Sequence, residues 1–333
     1  MNEKNSPQEI NIKNKNIFGK IGAIREIIIF GLTLALFLVF FFTTRGVMFN
    51  VQSLQIIFVA VSELGLVAIG ITMLMISGEF DLSVGSISAM GALVAAKLYL
   101  SGMNPFIACV IATVVGVALG GFNGLITVKF KLPSFIVTLA TMIGFRGLIY
   151  VITEGVPVGF KVFDTHPFFE KFLSGKLGPI PVPLIWLTVI TIIVALILNY
   201  HRFGNHVFAV GGNRETARAM GINTDKIKIL CFMISGFLAA FAGVMRVTRV
   251  RSFHSLQGDQ VALLAIAAAV IGGTLLTGGV GTIIGAVLGT LVIVLVEYGL
   301  IMSGVGAYMY NVVLGGVIIS VVILNNVFEQ RRK

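Results

Sequence analysis

Long apolar runs separated by short polar stretches dominate the sequence of 333 residues. A membrane-spanning helix needs roughly 20 predominantly apolar residues, and windows of that kind recur along the chain. Membrane β-barrels instead read as short segments of alternating polarity. The pattern therefore predicts an all-α, polytopic α-helical membrane protein with about ten apolar segments. They lie roughly at 26–44, 51–76, 84–102, 105–128, 134–153, 180–199, 228–248, 261–276, 282–302 and 307–324.

Two of these segments differ from the others. The third, 84–102, and the eighth, 261–276, are short and rich in glycine. We expect broken or re-entrant helices there, because such backbone is tolerated at membrane depth when it is buried among other helices. The transmembrane domain is predicted to span 26–325, between polar tails at 1–25 and 326–333.

Composition and charge agree with the hydrophobic pattern. Hydrophobic residues make up 57% of the chain and charged residues 11%, whereas soluble domains carry about 25% charged residues. The net charge of +10 is explained by the preference of Lys and Arg for cytoplasmic loops, without nucleic acid. This rule predicts cytoplasmic termini, an external segment at 154–179 and an inner loop at 200–228. Arg246, Arg249 and Arg251 would then lie outside, so either the seventh helix ends unusually or the eighth segment does not cross fully.

The inner loop contains a predicted short helix. Asn213 is a good N-cap, Glu215 lies in the first turn, and Gly221 suits the left-handed residue after the helix. So short a helix is not stable in isolation. We therefore expect it to pack either on a cytosolic partner or on lipid headgroups.

Several polar residues lie within or between the apolar runs, where charges are costly and usually functional. Asp81 is placed to cap the helix that follows it, and helix breaks lined by polar groups are where transporters build substrate sites. Ordinary loop capping is the alternative. Glu63 and Arg146 are predicted to snorkel to an interface or to pair with another charge. The candidate pathway residues are Glu79, Asp81, Ser83, Asn123 and Glu297.

Motifs for catalysis or nucleotide binding are not recognisable in the sequence. Gly19-Lys20 and Gly175-Lys176 lack the spacing and the Ser or Thr of a Walker A motif, and the four histidines show no metal-ligand spacing. We therefore predict that the chain is not an enzyme and binds no cofactor or metal itself.

Several motifs follow one another along the chain. They are ISGEFDLSVGS at 76–86, LPSFIVTLAT at 132–141 with FRG at 145–147, RFG at 202–204, GGN at 211–213 with AR at 217–218, GI at 221–222, and AIAAAVIGGT at 265–274 with GGVG at 278–281. Each motif is weak alone, but together they cover roughly residues 60–325, and in this order they resemble the permease family of ribose- and xylose-type ABC importers.

The resemblance implies a permease in the bacterial inner membrane that imports a monosaccharide, most simply a pentose such as xylose or ribose. It also implies a second permease copy, identical or different, an external sugar-binding protein, and cytosolic ATPase subunits that hold ATP and Mg. The predicted inner helix resembles the coupling helix that docks into the ATPase. Its residues would be Asn213, Arg214, Glu215, Ala217, Arg218 and Gly221.

Departures from the family pattern weaken the transfer of substrate identity. The family usually carries Glu-Leu-Asp where this chain has Ala262-Leu263-Leu264, and Asn-Asn-Gly or Asp-Asn-Gly where it has Glu297-Tyr298-Gly299. One alternative is an ion-driven secondary transporter in which Glu63 and Glu297 couple the ions. A membrane scaffold without a pathway is another, and an importer for a nucleoside or a signalling furanose is a third.

Overall fold

A computed structural model describes residues 29–306 together with 309, 312, 313, 315, 316 and 319. The predicted tails and most of the predicted tenth segment lie outside these residues. The described chain is almost entirely helical, which confirms the predicted all-α membrane fold. Its helices are α1 Ile29–Thr43, α2 Val51–Ile76, α3 Val84–Leu100, α4 Pro105–Lys129, α5 Ser134–Thr153, α6 Val162–Thr165, α7 Pro167–Ser174, α8 Val182–Tyr200, α9 Arg202–Gly212, α10 Arg214–Ala219, α11 Thr224–Val250, α12 Val261–Ile271 and α13 Ile283–Met302.

Six described helices, α2, α4, α5, α8, α11 and α13, are long and apolar enough to cross a membrane. The bounds of α2 and α5 coincide with the predicted segments. Helix α11 begins earlier than predicted, at Thr224, because the Asn223 side chain caps it by accepting a hydrogen bond of 3.0 Å from the N–H of Lys226. Polar caps therefore extend a helix beyond its apolar run.

Of the two segments predicted as broken or re-entrant, the third is a continuous helix of 17 residues, α3, and the eighth is the short helix α12. Its 11 residues rise about 16 Å at 1.5 Å per residue, roughly half of a hydrocarbon core of about 30 Å. It begins beside the start of α3, since a Cβ on Gly258 would lie 2.4 Å from the carbonyl oxygen of Gly85. The eighth apolar segment is thus a half-length helix whose N-terminus faces the start of α3.

The centre of the bundle is formed by α2 and α11. In each of them 72% of the most apolar window is buried, compared with 17% in α5 and 22% in α8. The outer helices present large apolar side chains such as Ile143 and Val151, which are 65% and 76% exposed, as lipid contact requires. Glycines bring α4 against α11: a Cβ on Gly120 would lie 2.2 Å from the carbonyl oxygen of Phe232.

Two sets of connections mark the ends of the bundle. At the end that we call the strand end, α6, α7 and short strands pack together. The strands are β1 Val158–Gly159, β2 Lys176–Leu177, β3 Ile180–Pro181 and β4 Ser252–Phe253, and they pair as β1 with β4 and β2 with β3. At the opposite end, called the α10 end, α9 and α10 lie beside the loops 77–83 and 273–282, where Gly279 N–H donates to the Ile76 carbonyl at 2.9 Å.

Candidate functional site

Helix α10 has the capping that the sequence predicted. The Asn213 side chain accepts a hydrogen bond of 2.9 Å from the N–H of Thr216. At the other end Gly221 has φ of +83°, a conformation that glycine adopts without strain, and the N–H of Ile222 donates to the Ala217 carbonyl at 3.1 Å. The helix itself is Arg214–Ala219, and Ala217 is its buried contact.

The stretch 200–228, predicted as a polar inner loop with one short helix, contains a second helix, α9. His201 caps α9 by accepting a hydrogen bond of 3.1 Å from the N–H of Phe203, and Val207 and Val210 are buried. Its last turn touches the end of α2, where a Cβ on Gly211 would lie 1.7 Å from the Ile76 carbonyl oxygen. The apolar spacing could have revealed this helix.

The two arginines of α10 bind within the chain. Arg214 and Arg218 each approach Asp225 Oδ1 at 2.9 Å, so they connect α10 to the first turn of α11. Glu215 is exposed, and the Met220 residue just after the helix is 76% exposed. The exposed surface of the hairpin formed by α9 and α10 therefore includes Glu215 and Met220 as well as the two arginines, whose side chains are 41% and 59% exposed.

Glu79 forms a buried ion pair with Lys228, which the sequence analysis did not identify. The two side chains are 12% and 8% exposed. The pair joins the loop after α2 to the first turns of α11, close to α10. A cavity of about 280 Å³ lies beside it, lined by Glu79, Thr127, Val128, Lys131, Leu132, Pro133, Arg214 and Lys228.

Asp81, Ser83 and Asn123 form a fully buried polar cluster. Asp81 Oδ1 accepts hydrogen bonds from the N–H and the Oγ of Ser83 at 2.8 and 2.6 Å, and Asn123 Nδ2 donates to Ser83 Oγ at 2.7 Å. A capping side chain would accept a hydrogen bond from an N–H in the first turn of α3. Asp81 instead binds Ser83, the residue before α3, so it does not cap this helix in the predicted way. Burial raises the pKa of the Asp81 carboxyl to about 6, although the hydrogen bonds from Ser83 act to lower it.

A second, larger cavity of about 860 Å³ opens towards the strand end and contains Glu297. Its walls come from α2, α11, α13 and the start of α12. None of the other four candidate pathway residues lines it. Of the candidate pathway residues, Glu297 thus lies in the wall of the large cavity, whereas the other four lie in the half of the bundle near the α10 end. The lining includes Gln52, Gln55, Glu63, Ser88, Lys176, Arg246, Arg249, Leu256, Asp259, Gln260, Val261, Leu264, Val294, Glu297 and Tyr298.

Ion pairs explain two of the three arginines that the positive-inside rule left outside. Arg249 binds Glu63 through Nε–Oε1 and Nη2–Oε2 contacts of 2.7 and 3.0 Å. Arg251 approaches Glu170 at 3.5 Å and lies over the Phe163 ring, 4.3 Å from its centroid. Glu63 is thus paired with another charge, which is one of the two outcomes predicted for it. The C-terminal end of α11 therefore carries two arginines, each of which binds a glutamate of another helix.

Arg146 holds the segment that leads into α12. Its Nη1 atom donates hydrogen bonds of 2.6 and 2.8 Å to the carbonyl oxygens of Ser255 and Gln257. Arg146 therefore makes its hydrogen bonds to backbone, and it also interacts with the charge of Asp259 without forming an ion pair. This contact positions the start of α12 beside the large cavity.

Comparison with known proteins matches these features to one family. The sequence profile described as branched-chain amino acid transport system / permease component matches residues 53–322. The chain belongs to this permease family. The ribose import permease protein of Bacillus subtilis (strain 168) is 37% identical over 78% of this chain and 80% of its own length, and that of Escherichia coli (strain K12) is 35% identical over 84% and 87%. The xylose/arabinose import permease protein of Sulfolobus acidocaldarius is 34% identical over 86% and 81%. No solved structure matches the chain.

Three of the residues that depart from the family pattern, Leu264, Glu297 and Tyr298, line the large cavity. In this permease Ala262 is buried and is not part of the cavity wall, and the first turn of α12 carries no acid. Glu297 lies in the wall formed by α13. Among the described residues no group of three His, Cys, Asp or Glu side chains could hold a metal ion.

Proposed function

We propose that the chain is the membrane subunit of an ATP-driven, binding-protein-dependent importer and that it moves a pentose such as ribose or xylose. The cavity of about 860 Å³ carries this proposal, because its volume lies in the range of small-molecule sites. It combines neutral polar side chains with charges on membrane helices. The import of ribose and of xylose/arabinose by the relatives supports the choice of cargo.

A separate ATPase would supply the energy, with ATP and Mg bound on that partner. Its docking surface on this chain would be α10, with Met220 and Glu215 as contacts. The helix would be stabilised by its caps, Asn213 and Gly221, and by the buried contact of Ala217. It would be connected to α11 by Arg214 and Arg218. Because α9 rests on the end of α2 at Gly211, movement of the hairpin would reach the central helices directly.

The remaining assignments follow from this orientation. The α10 end would face the cytoplasm, with both termini on that side, in the plasma membrane of a bacterium. The strand end would receive the external sugar-binding protein. A second permease copy, identical or different, would complete the transmembrane part. Glu79, Asp81, Ser83 and Asn123 would lie along the inner half of the pathway and Glu297 along the outer half.

Reconstitution tests the function directly. We expect liposomes that contain the permease, its ATPase and the binding protein to accumulate radiolabelled D-ribose or D-xylose only with internal ATP. In the same liposomes, Met220→Asp should lower sugar-stimulated ATPase activity at least 5-fold, as an estimate of about 1 kcal/mol in coupling, with an unchanged melting temperature. Uptake driven by an ion gradient without ATP would instead establish a secondary transporter, and uptake of a nucleoside in place of pentose would change the cargo.

A further inference from the structure

Besides Asp259, which lies just before α12 and interacts with the charge of Arg146, two charged side chains in the wall of the large cavity form neither an ion pair nor a side-chain hydrogen bond with a described residue. Arg246 on α11 and Glu297 on α13 both line it and are half-buried. Arg249 and Glu63, in the same wall, neutralise each other. Since charges in membrane helices are costly and mark functional sites, the unpaired charges require a different explanation from the paired ones.

The two side chains line one cavity, so a single solute in it can contact both. They belong to different helices and form no ion pair or hydrogen bond with each other, although the charge of Arg246 acts on Glu297. The start of α12 is in the same wall, with Gln260 and Val261, and the first N–H groups of a helix have no intrahelical acceptors. Tyr298 and Ser88 add hydroxyl groups. A molecule in this cavity can therefore meet both hydrogen-bond acceptors and hydrogen-bond donors.

The two groups require a molecule that donates hydrogen bonds to the carboxylate and accepts them from the guanidinium. An ionised carboxylate only accepts hydrogen bonds and a guanidinium only donates them, whereas each hydroxyl of a sugar does both. We infer that Arg246 and Glu297 bind opposite sides of the transported solute, a neutral polyhydroxylated molecule, and determine its specificity. This inference rests on the proposed function and adds to it the residues that recognise the cargo.

Direct binding is the sharpest test, because it avoids the selectivity of the external binding protein. The purified permease–ATPase complex would be titrated with D-ribose and with its monodeoxy analogues, and followed by saturation-transfer NMR. We expect Glu297→Gln and Arg246→Gln each to weaken ribose binding roughly 10-fold, since each loses a charge-assisted hydrogen bond. Each variant should also lose the wild-type preference for ribose over the one analogue that lacks the hydroxyl it binds.

The matched control is Lys97→Gln, which removes an exposed charge on α3, and it should bind ribose as the wild type does. Unchanged preference among the analogues in both cavity variants would overturn the inference, whatever their rates of uptake. If Glu297→Gln lowers the melting temperature, Glu297→Asp replaces it; this variant keeps the charge one methylene short and should bind ribose with intermediate affinity.

Failure of the proposed function would look different. A wild-type complex that transports L-leucine and no pentose would refute the proposed cargo, and with it the polyhydroxylated ligand, since Arg246 and Glu297 would then face the carboxylate and ammonium of an amino acid. A wild-type complex that transports ribose, with variants that bind it normally, would refute only the roles of the two residues.

Discussion

Lys228 and Glu79 illustrate what a single residue pair does in this bundle. Their side chains are 8% and 12% exposed, so both charges have left water, and only their mutual attraction compensates the lost solvation. Removal of one partner from such a pair leaves the other charge buried alone. The pair therefore couples the loop after α2 to α11, and the loss of either residue should be more harmful than the loss of both.

We predict that Lys228→Met destabilises the protein by about 3–5 kcal/mol and lowers its melting temperature in detergent. Adding Glu79→Gln to this variant should restore part of the loss, because no buried charge then remains. Lys129→Met is the control, since Lys129 is exposed in the last turn of α4. Equal melting temperatures for Lys228→Met and Lys129→Met would contradict the prediction.

At the scale of elements, the contact between α9 and α2 decides how the hairpin is attached to the bundle. Gly211 and Gly212 are adjacent in α9 but differ in surroundings. A Cβ on Gly211 would lie 1.7 Å from the Ile76 carbonyl oxygen and 2.7 Å from the Gly279 nitrogen, whereas a Cβ on Gly212 would meet nothing within 4 Å. The backbones of both glycines lie near Gly279, but only at Gly211 would an added Cβ collide with other segments.

Gly211→Ala should therefore lower stability by about 1–3 kcal/mol through overpacking, and it should reduce sugar-stimulated ATPase activity because α10 is displaced with α9. Gly212→Ala is the matched control, and it should be neutral or slightly stabilising, because alanine favours a helix over glycine. Thermal unfolding and ATPase assays on the reconstituted complex measure the two effects. The opposite ranking of the two variants would show that α9 is not held at Gly211.

At the scale of the whole molecule, orientation determines which cavity faces which compartment. The strand end carries the exposed Lys171 on α7, and the α10 end carries Met220. The proposed function requires these residues to lie on opposite sides of the membrane. The large cavity would then open to the outside and the Glu79–Lys228 pair would lie towards the cytoplasm.

Cysteine labelling tests this orientation. The chain has two native cysteines, the half-buried Cys109 and the buried Cys231, which would first be replaced by alanine. A membrane-impermeant maleimide should then label Lys171→Cys in intact cells and Met220→Cys only after permeabilisation. Labelling of Met220→Cys alone in intact cells would reverse the orientation and exclude α10 as the site where a cytosolic ATPase docks.

Local features of the sequence determined the fold class and most of the helices. Long apolar runs predict membrane helices because each helix satisfies its own backbone hydrogen bonds in lipid, and the bounds of α2 and α5 follow from those runs alone. The caps of α10 were also predictable, since Asn213 and Gly221 act within one helical turn. The family resemblance came from motifs in order and agrees with the relatives found by comparison.

Only the tertiary structure decided which polar residues meet. Glu79 and Lys228 are 149 positions apart and Glu63 and Arg249 are 186 apart, and no periodicity connects such pairs. Packing also separated Glu297 from the other candidate pathway residues and placed Arg246 in the wall of the same cavity. A charge in an apolar run signals function from the sequence alone, but its partner depends on how the helices pack, which is a property of the whole bundle.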